Sequence, residues 1–95
     1  MAPGTWLEPG DPTLALLRQR CQAQGWQLLT PPELSGRWRW FSATDADRSQ
    51  ALQRAWLDPE VEAIFCVGAG WGSARVLEQG WAIPPAPRWC VGFSD

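Results

Sequence analysis

Few residue types in this chain can do covalent or acid–base chemistry. Its 95 residues include ten carboxylates and three cysteines, and no histidine. Nucleophilic hydrolysis needs a nucleophile with a base beside it, most often an imidazole. The best-placed nucleophile is Ser94, in Gly92-Phe93-Ser94-Asp95 at the end of an apolar run. A serine on a sharp turn after a strand exposes its hydroxyl at the carboxyl edge of the sheet, and the next backbone N–H can donate to an oxyanion. The sequence stops one residue after Ser94, so by itself it is not expected to be a complete nucleophilic hydrolase. Taken alone, Ser-Asp is also a common helix start.

The second place with chemical potential is Gly68-Ala69-Gly70-Trp71-Gly72. Glycines between a buried strand and a helix let backbone N–H groups point at an anion. The run is not G-x-G-x-x-G, because its third glycine is misplaced, and it lacks the lysine of a P-loop. A small nucleotide-binding flavodoxin-like domain is therefore the weakest reading, and a plain tight turn is commoner. Open parallel sheets place ligands at the carboxyl ends of their strands. Both places follow apolar runs that read as buried strands. They can face each other across one crevice, with an N–H of the turn completing an oxyanion hole for Ser94.

Cys21, Cys66 and Cys90 are widely spaced, with no Cys-x-x-Cys and no histidine to complete a zinc set. No metal and no cofactor is expected. An odd cysteine count without a secretion signal fits a reducing cytoplasm. Cys66 and Cys90 lie in apolar runs and read as small hydrophobes. Nothing approaches the roughly 18 apolar residues of a membrane span. All eight basic residues are arginine and the net charge is −2, which gives no general drive toward nucleic acid or an anionic membrane. Arg37-Trp38-Arg39-Trp40 could stack on bases, but a solvated strand edge explains it more simply. Of the eight tryptophans, Trp26 and Trp56 are expected in the core, and Trp38 and Trp40 at a surface that meets something else.

These residues need elements to position them, and the length allows one small domain, 1–95. Residues 1–11 read as an irregular lead-in. A helix follows, capped by Asp11, with Pro12 in its first turn, Leu14, Leu17 and Cys21 at helical spacing, and Gly25 as its stop. Trp26-Gln27-Leu28-Leu29 predicts a short strand ended by Pro31-Pro32. Residues 33–43 read as loop with an extended piece at 37–41. Thr44 caps a second helix that carries Ala51, Leu52, Ala55 and Trp56 and ends at Asp58-Pro59. Residues 61–67 predict a strand buried on both faces, 73–79 a short helix stopped by Gly80, and 88–91 another buried strand. Alternating helices and buried strands argue for an α/β fold with a parallel sheet.

From about Trp40 to Asp95 the residues resemble the LD-carboxypeptidases, serine peptidases that cleave the bond before a C-terminal D-amino acid in bacterial cell-wall peptides. The family includes muramoyl-tetrapeptide carboxypeptidases and microcin C immunity peptidases. Trp40-Phe41-Ser42-Ala43-Thr44-Asp45-Ala46-Asp47-Arg48 is similar to the family's Y-L-A-G-x-D-x-x-R. The run from Cys66 to Leu77, Cys-Val-Gly-Ala-Gly-Trp-Gly-Ser-Ala-Arg-Val-Leu, resembles C-A-R-G-G-Y-G-S-A-R-L-L, and the run from Pro87 to Asp95 resembles P-K-x-x-I-G-[FY]-S-D. The Trp-Gly pairs and arginine bias look closest to cyanobacterial members. The resemblance implies a flavodoxin-like or class I glutamine amidotransferase-like three-layer parallel sheet, N-terminal domain only. It implies Ser94 as the nucleophile position and the Asp95 N–H as one oxyanion donor, with the second donor from Ala69 or Gly70. The family's Glu and His lie in a C-terminal domain that this sequence does not contain.

The sequence also departs from the family. Gly68 stands where the family has Arg, and Ala69 where it has its first Gly. Leu7-Glu8-Pro9-Gly10-Asp11 resembles the opening L-x-P-G-D, yet the first buried strand expected next is absent. Two readings then lead. One is the nucleophile-bearing part of such a peptidase, inactive alone, that meets a cell-wall-derived peptide once a second domain completes it. The other is a truncated non-catalytic module that binds a partner, a peptide or itself through its strand edge and through Trp38, Trp40 and Trp81.

Overall fold

The structure is a computed structural model that describes residues 6–68, 72–80, 82 and 85–94. Its order is α1 (Thr13–Ala23), a 3-10 turn (Pro32–Ser35), α2 (Asp45–Leu57), β1 (Ala63–Phe65), α3 (Ser73–Leu77) and β2 (Trp89–Val91). The α/β expectation holds in its coarse form. The described residues carry a two-stranded parallel sheet, with Ala63, Ile64 and Phe65 opposite Trp89, Cys90 and Val91.

The helices start and stop where side-chain chemistry dictates. The Asp11 carboxylate accepts the Thr13 N–H at 2.8 Å; the Thr13 hydroxyl first, and then this N–H, hold its carboxyl below the usual range. Pro12 falls just ahead of the helix instead of inside it. At the other end Gly25 takes φ 75°. The Trp26 N–H then reaches the Cys21 carbonyl at 2.9 Å, and the Gly25 N–H the Gln22 carbonyl at 3.0 Å. This is the Schellman closure that a left-handed glycine permits. Thr44 caps α2 by accepting the Asp47 N–H at 3.2 Å and donating to its carboxylate at 2.7 Å.

Leu34 and Val67 form the centre of the core, with Leu7, Leu14, Leu17 and Leu28 packed on them. α2 packs on α3 and on the 3-10 turn. Gln53 donates to the Gly80 carbonyl at 2.9 Å, and Arg54 pairs with Glu33. Residues 37–41 bend instead of extending. Trp38 and Phe41 exchange N–H···O bonds of 2.7 and 2.9 Å around Arg39, whose φ is 58°.

Five expectations need correction. Residues 26–29 form no strand. An open groove of about 810 Å³ separates them from α2 and β1, so their backbone has no neighbouring strand to pair with. Trp26 consequently lies outside the core at 59% exposure, while Trp56 is half-buried. β2 is exposed along its length, with Trp89 at 77%, because among the described residues it pairs only with β1. β1 is shorter than 61–67, and only its central Ile64 is fully enclosed. Cys90 is exposed, whereas Cys21 is the buried thiol.

Ile64 has no exposed surface, so truncation to alanine is expected to cost about 2–5 kcal/mol. Urea unfolding of Ile64→Ala beside Leu16→Ala, an exposed position on α1, checks this. Similar losses at both positions would contradict the core assignment.

Candidate functional site

Parallel pairing sends both strands' carboxyl ends to one edge of the sheet. β1 continues through Cys66 and Val67 into Gly68, and β2 through Gly92 and Phe93 into Ser94. The Cys66 N–H donates to the Val91 carbonyl at 2.9 Å, which carries the pairing one residue past β1. A Cβ on Gly92 would lie 3.6 Å from the Cys66 sulfur, an ordinary contact distance, so Gly92 sits beside Cys66 just before Ser94. Ser94 is exposed and takes φ 68°. A non-glycine residue in the left-handed region is uncommon and costs of order 1 kcal/mol or more. A sharp, strained turn of this kind exposes a side chain at the end of a strand.

The nearest competing nucleophile is muted. Burial pushes the Cys66 thiol up to about 11, and the adjacent Cys90 thiol adds to the shift. Cys66 therefore stays protonated at neutral pH and is a poor nucleophile. Among the described residues no group of three or more His, Cys, Asp or Glu could hold a metal ion.

The glycine-rich turn is bounded by two left-handed glycines, Gly68 at φ 77° and Gly72 at φ 101°. At Gly68 the backbone suits the glycine found in place of the family's arginine. Ala69, Gly70 and Asp95, the expected oxyanion donors, lie outside the described residues, as do Trp71 and Trp81.

Sequence reading missed what braces the far end of this turn. Arg48 is 2% exposed. Its guanidinium lies 4.2 Å over the Phe41 ring and donates to Asp45 at 2.6 Å. From α3, Arg75 grips both oxygens of the same carboxylate, its Nε at 3.1 and 3.0 Å and its Nη2 at 2.6 Å. Those Arg75 bonds, followed by the bond from Arg48, hold the Asp45 carboxyl below the usual range despite partial burial. Gly72 is pressed against this group: a Cβ there would come 2.6 Å from Phe41 Cε1 and 3.2 Å from Arg48 Nη1. The available signal was the Asp45-x-x-Arg48 spacing, which stacks the pair on one helix face. The arginine's burial was not legible.

The arginines of the Arg-Trp run stay exposed but lie against rings of the chain itself. Arg37 lies 4.0 Å over Trp6 and Arg39 lies 4.7 Å over Trp38, so these guanidinium planes already rest on the chain's own rings. Trp40 remains 74% exposed. No described helix is long and apolar enough to cross a membrane.

Comparison with known proteins identifies the family. The profile of the LD-carboxypeptidase N-terminal domain matches residues 1–95. A protein of Synechocystis sp. named as a carboxypeptidase is 39% identical over 72 residues, covering 75% of this chain and 24% of its own length. One of Streptomyces coelicolor, also named as a carboxypeptidase, is 34% identical over 108 aligned residues, covering 100% of this chain and 35% of its own length. The chain thus spans between a quarter and about a third of these relatives. No solved structure matches it.

Because the Asp45 carboxyl is depressed in the folded state, its stabilising contribution is present above the unfolded value near 3.9. It is lost as pH falls through the folded value. The stability gap between the parent chain and Asp45→Asn is therefore expected to close below about pH 4 in urea unfolding. A gap of constant size from neutral pH into the acid range would contradict the ion-pair account.

Proposed function

Because this chain belongs to the LD-carboxypeptidase family, as its N-terminal domain, we propose that it is the nucleophile-bearing part of a serine peptidase acting on L,D-peptide bonds of cell-wall peptides. The observation that carries the proposal is Ser94, exposed at φ 68°, at the carboxyl end of a strand paired in parallel with the strand that feeds the glycine-rich turn. Ser94 Oγ attacks the scissile carbonyl and forms an acyl-enzyme. The Asp95 N–H, with the N–H of Ala69 or Gly70, holds the oxyanion. The D-amino acid leaves as the amine, protonated by the general acid, and water releases the acyl group.

No histidine is present to take the serine proton, so the 95 residues alone are inactive in this proposal. The family's Glu and His come from a second domain. Residues 1–95 then act as one domain with flavodoxin-like or class I glutamine amidotransferase-like layering. The work is peptidoglycan recycling in the cytoplasm of a cyanobacterium, in keeping with the arginine-rich, lysine-free composition and the Synechocystis relative.

A second reading, a non-catalytic module that binds a peptide, a partner or another copy of itself, draws on the exposed apolar side chains of Trp40, Trp89 and Phe93. One experiment separates the two. A cell-wall-type tetrapeptide ending in D-alanine is offered to the chain alone and to the chain joined to the remaining C-terminal part of the Synechocystis relative. Expected are no D-alanine from the chain alone, release by the joined protein, and loss of that release in Ser94→Ala. Equal release by the joined protein with Ser94→Ala would overturn the peptidase reading.

A further inference from the structure

The Asp45–Arg48–Arg75 group plays no part in the chemistry proposed above, yet it sits against the glycine-rich turn. Three features define its position. Asp45 opens α2 and is gripped through both oxygens by Arg75 of α3. Arg48 is enclosed between Asp45 and the Phe41 ring. Gly72, the last residue before α3, leaves no room for a side chain against Phe41 and Arg48.

A guanidinium this buried is costly unless its charge and donors are matched. Asp45 supplies the charge and one acceptor. Arg48 Nε is enclosed without an acceptor among the described residues. A general helix–helix strut would not need a buried cation at this point, since an apolar side chain of like volume often serves as well. The group instead joins three pieces of chain at the downstream end of one turn: the 38–41 bend through Phe41, the start of α2 through Asp45 and Arg48, and α3 through Arg75.

We infer that Asp45, Arg48 and Arg75 are positioning residues that hold Gly72, the carboxyl end of the glycine-rich run from which the proposed function draws its second oxyanion donor. This rests on the peptidase reading for its purpose and on the contacts above for its existence. An oxyanion donor must be fixed before charge develops, because its contribution comes from not having to reorganise. A bidentate arginine–carboxylate pair gives the directional hold that a point charge does not. Arg75 is therefore not replaceable by lysine without loss.

The test reads the turn itself. Amide shifts of the ¹⁵N-labelled full chain are followed from neutral pH to about pH 2 in the parent, Arg75→Gln, Arg75→Lys and Asp45→Asn. The charged groups around Asp45 are Arg48 on its own helix and Arg75 on α3. Asp47 is turned to Thr44, and Glu78 acts on Arg75. Expected in the parent are Gly70 and Gly72 amides that titrate together, with a midpoint below that of an ordinary aspartate. Asp45→Asn abolishes that transition. Arg75→Gln raises its midpoint and displaces both amides at neutral pH, and Arg75→Lys falls between Arg75→Gln and the parent. Arg75 is half-exposed, so its variants retain the fold, seen as unmoved amides of Ile64 and Cys66. Two results would overturn the inference: Gly70 and Gly72 amides in Arg75→Gln identical to the parent, or β1 and α2 amides moving as far as those of the turn. Ser94 takes no part in this readout. A failed clamp and a failed peptidase assignment are therefore told apart by the separate loss of amide coupling and of Ser94-dependent hydrolysis.

Discussion

The pairing of β1 with β2 is the constraint on which everything else in this domain depends. Six residues in parallel register, extended by the Cys66-to-Val91 bond, decide that Gly68 and Ser94 leave the sheet on the same edge. An antiparallel pair would send them to opposite ends. A slip of one residue would turn every β2 side chain to the other face. Beside the pair, Gly92 lies against Cys66, whose half-buried thiol is held protonated by burial.

Around this pair the domain is tied together by polar contacts as much as by apolar burial. Leu34, Val67 and Ile64 supply a small core, as expected for so short a chain. α2 is then bound to each neighbour by a named polar bond: to the 3-10 turn through Arg54 and Glu33, to the end of α3 through Gln53, to the start of α3 through Asp45 and Arg75, and to β2 through Arg88, which donates to the Trp56 carbonyl at 3.1 Å. The exposed apolar surface on β2 and residues 26–29 is the complement of this arrangement. Strand backbones and tryptophan faces are left open where the described residues provide no second layer.

Local chemistry was legible in the sequence and long-range partnership was not. Asp11, Gly25, Thr44 and the Asp58-Pro59 stop each act within a few residues of themselves, and each marks an observed helix end, whereas α3 ends at Leu77, short of the stop expected at Gly80. The order of β1, turn, α3 and β2 followed from apolar runs punctuated by glycine and proline. Residues 26–29 failed because a strand exists only when another backbone lies beside it, and composition does not report its neighbour. β2 was read as buried because its residues are apolar, yet burial depends on layers that the described residues do not supply. At the site, the residues around Ser94 pointed to the family by resemblance. Arg48 was not legible, since a buried guanidinium looks in sequence like any solvated arginine on a helix.

The most direct measurement of the central claim is the scalar coupling across the hydrogen bond between the Cys66 amide nitrogen and a carbonyl carbon of β2, in the doubly labelled chain. The account predicts a coupling from Cys66 to Val91, as the 2.9 Å bond requires. A coupling to Cys90 or Gly92 instead would mean a slipped register, and Gly68 and Ser94 would no longer leave the sheet at matching levels.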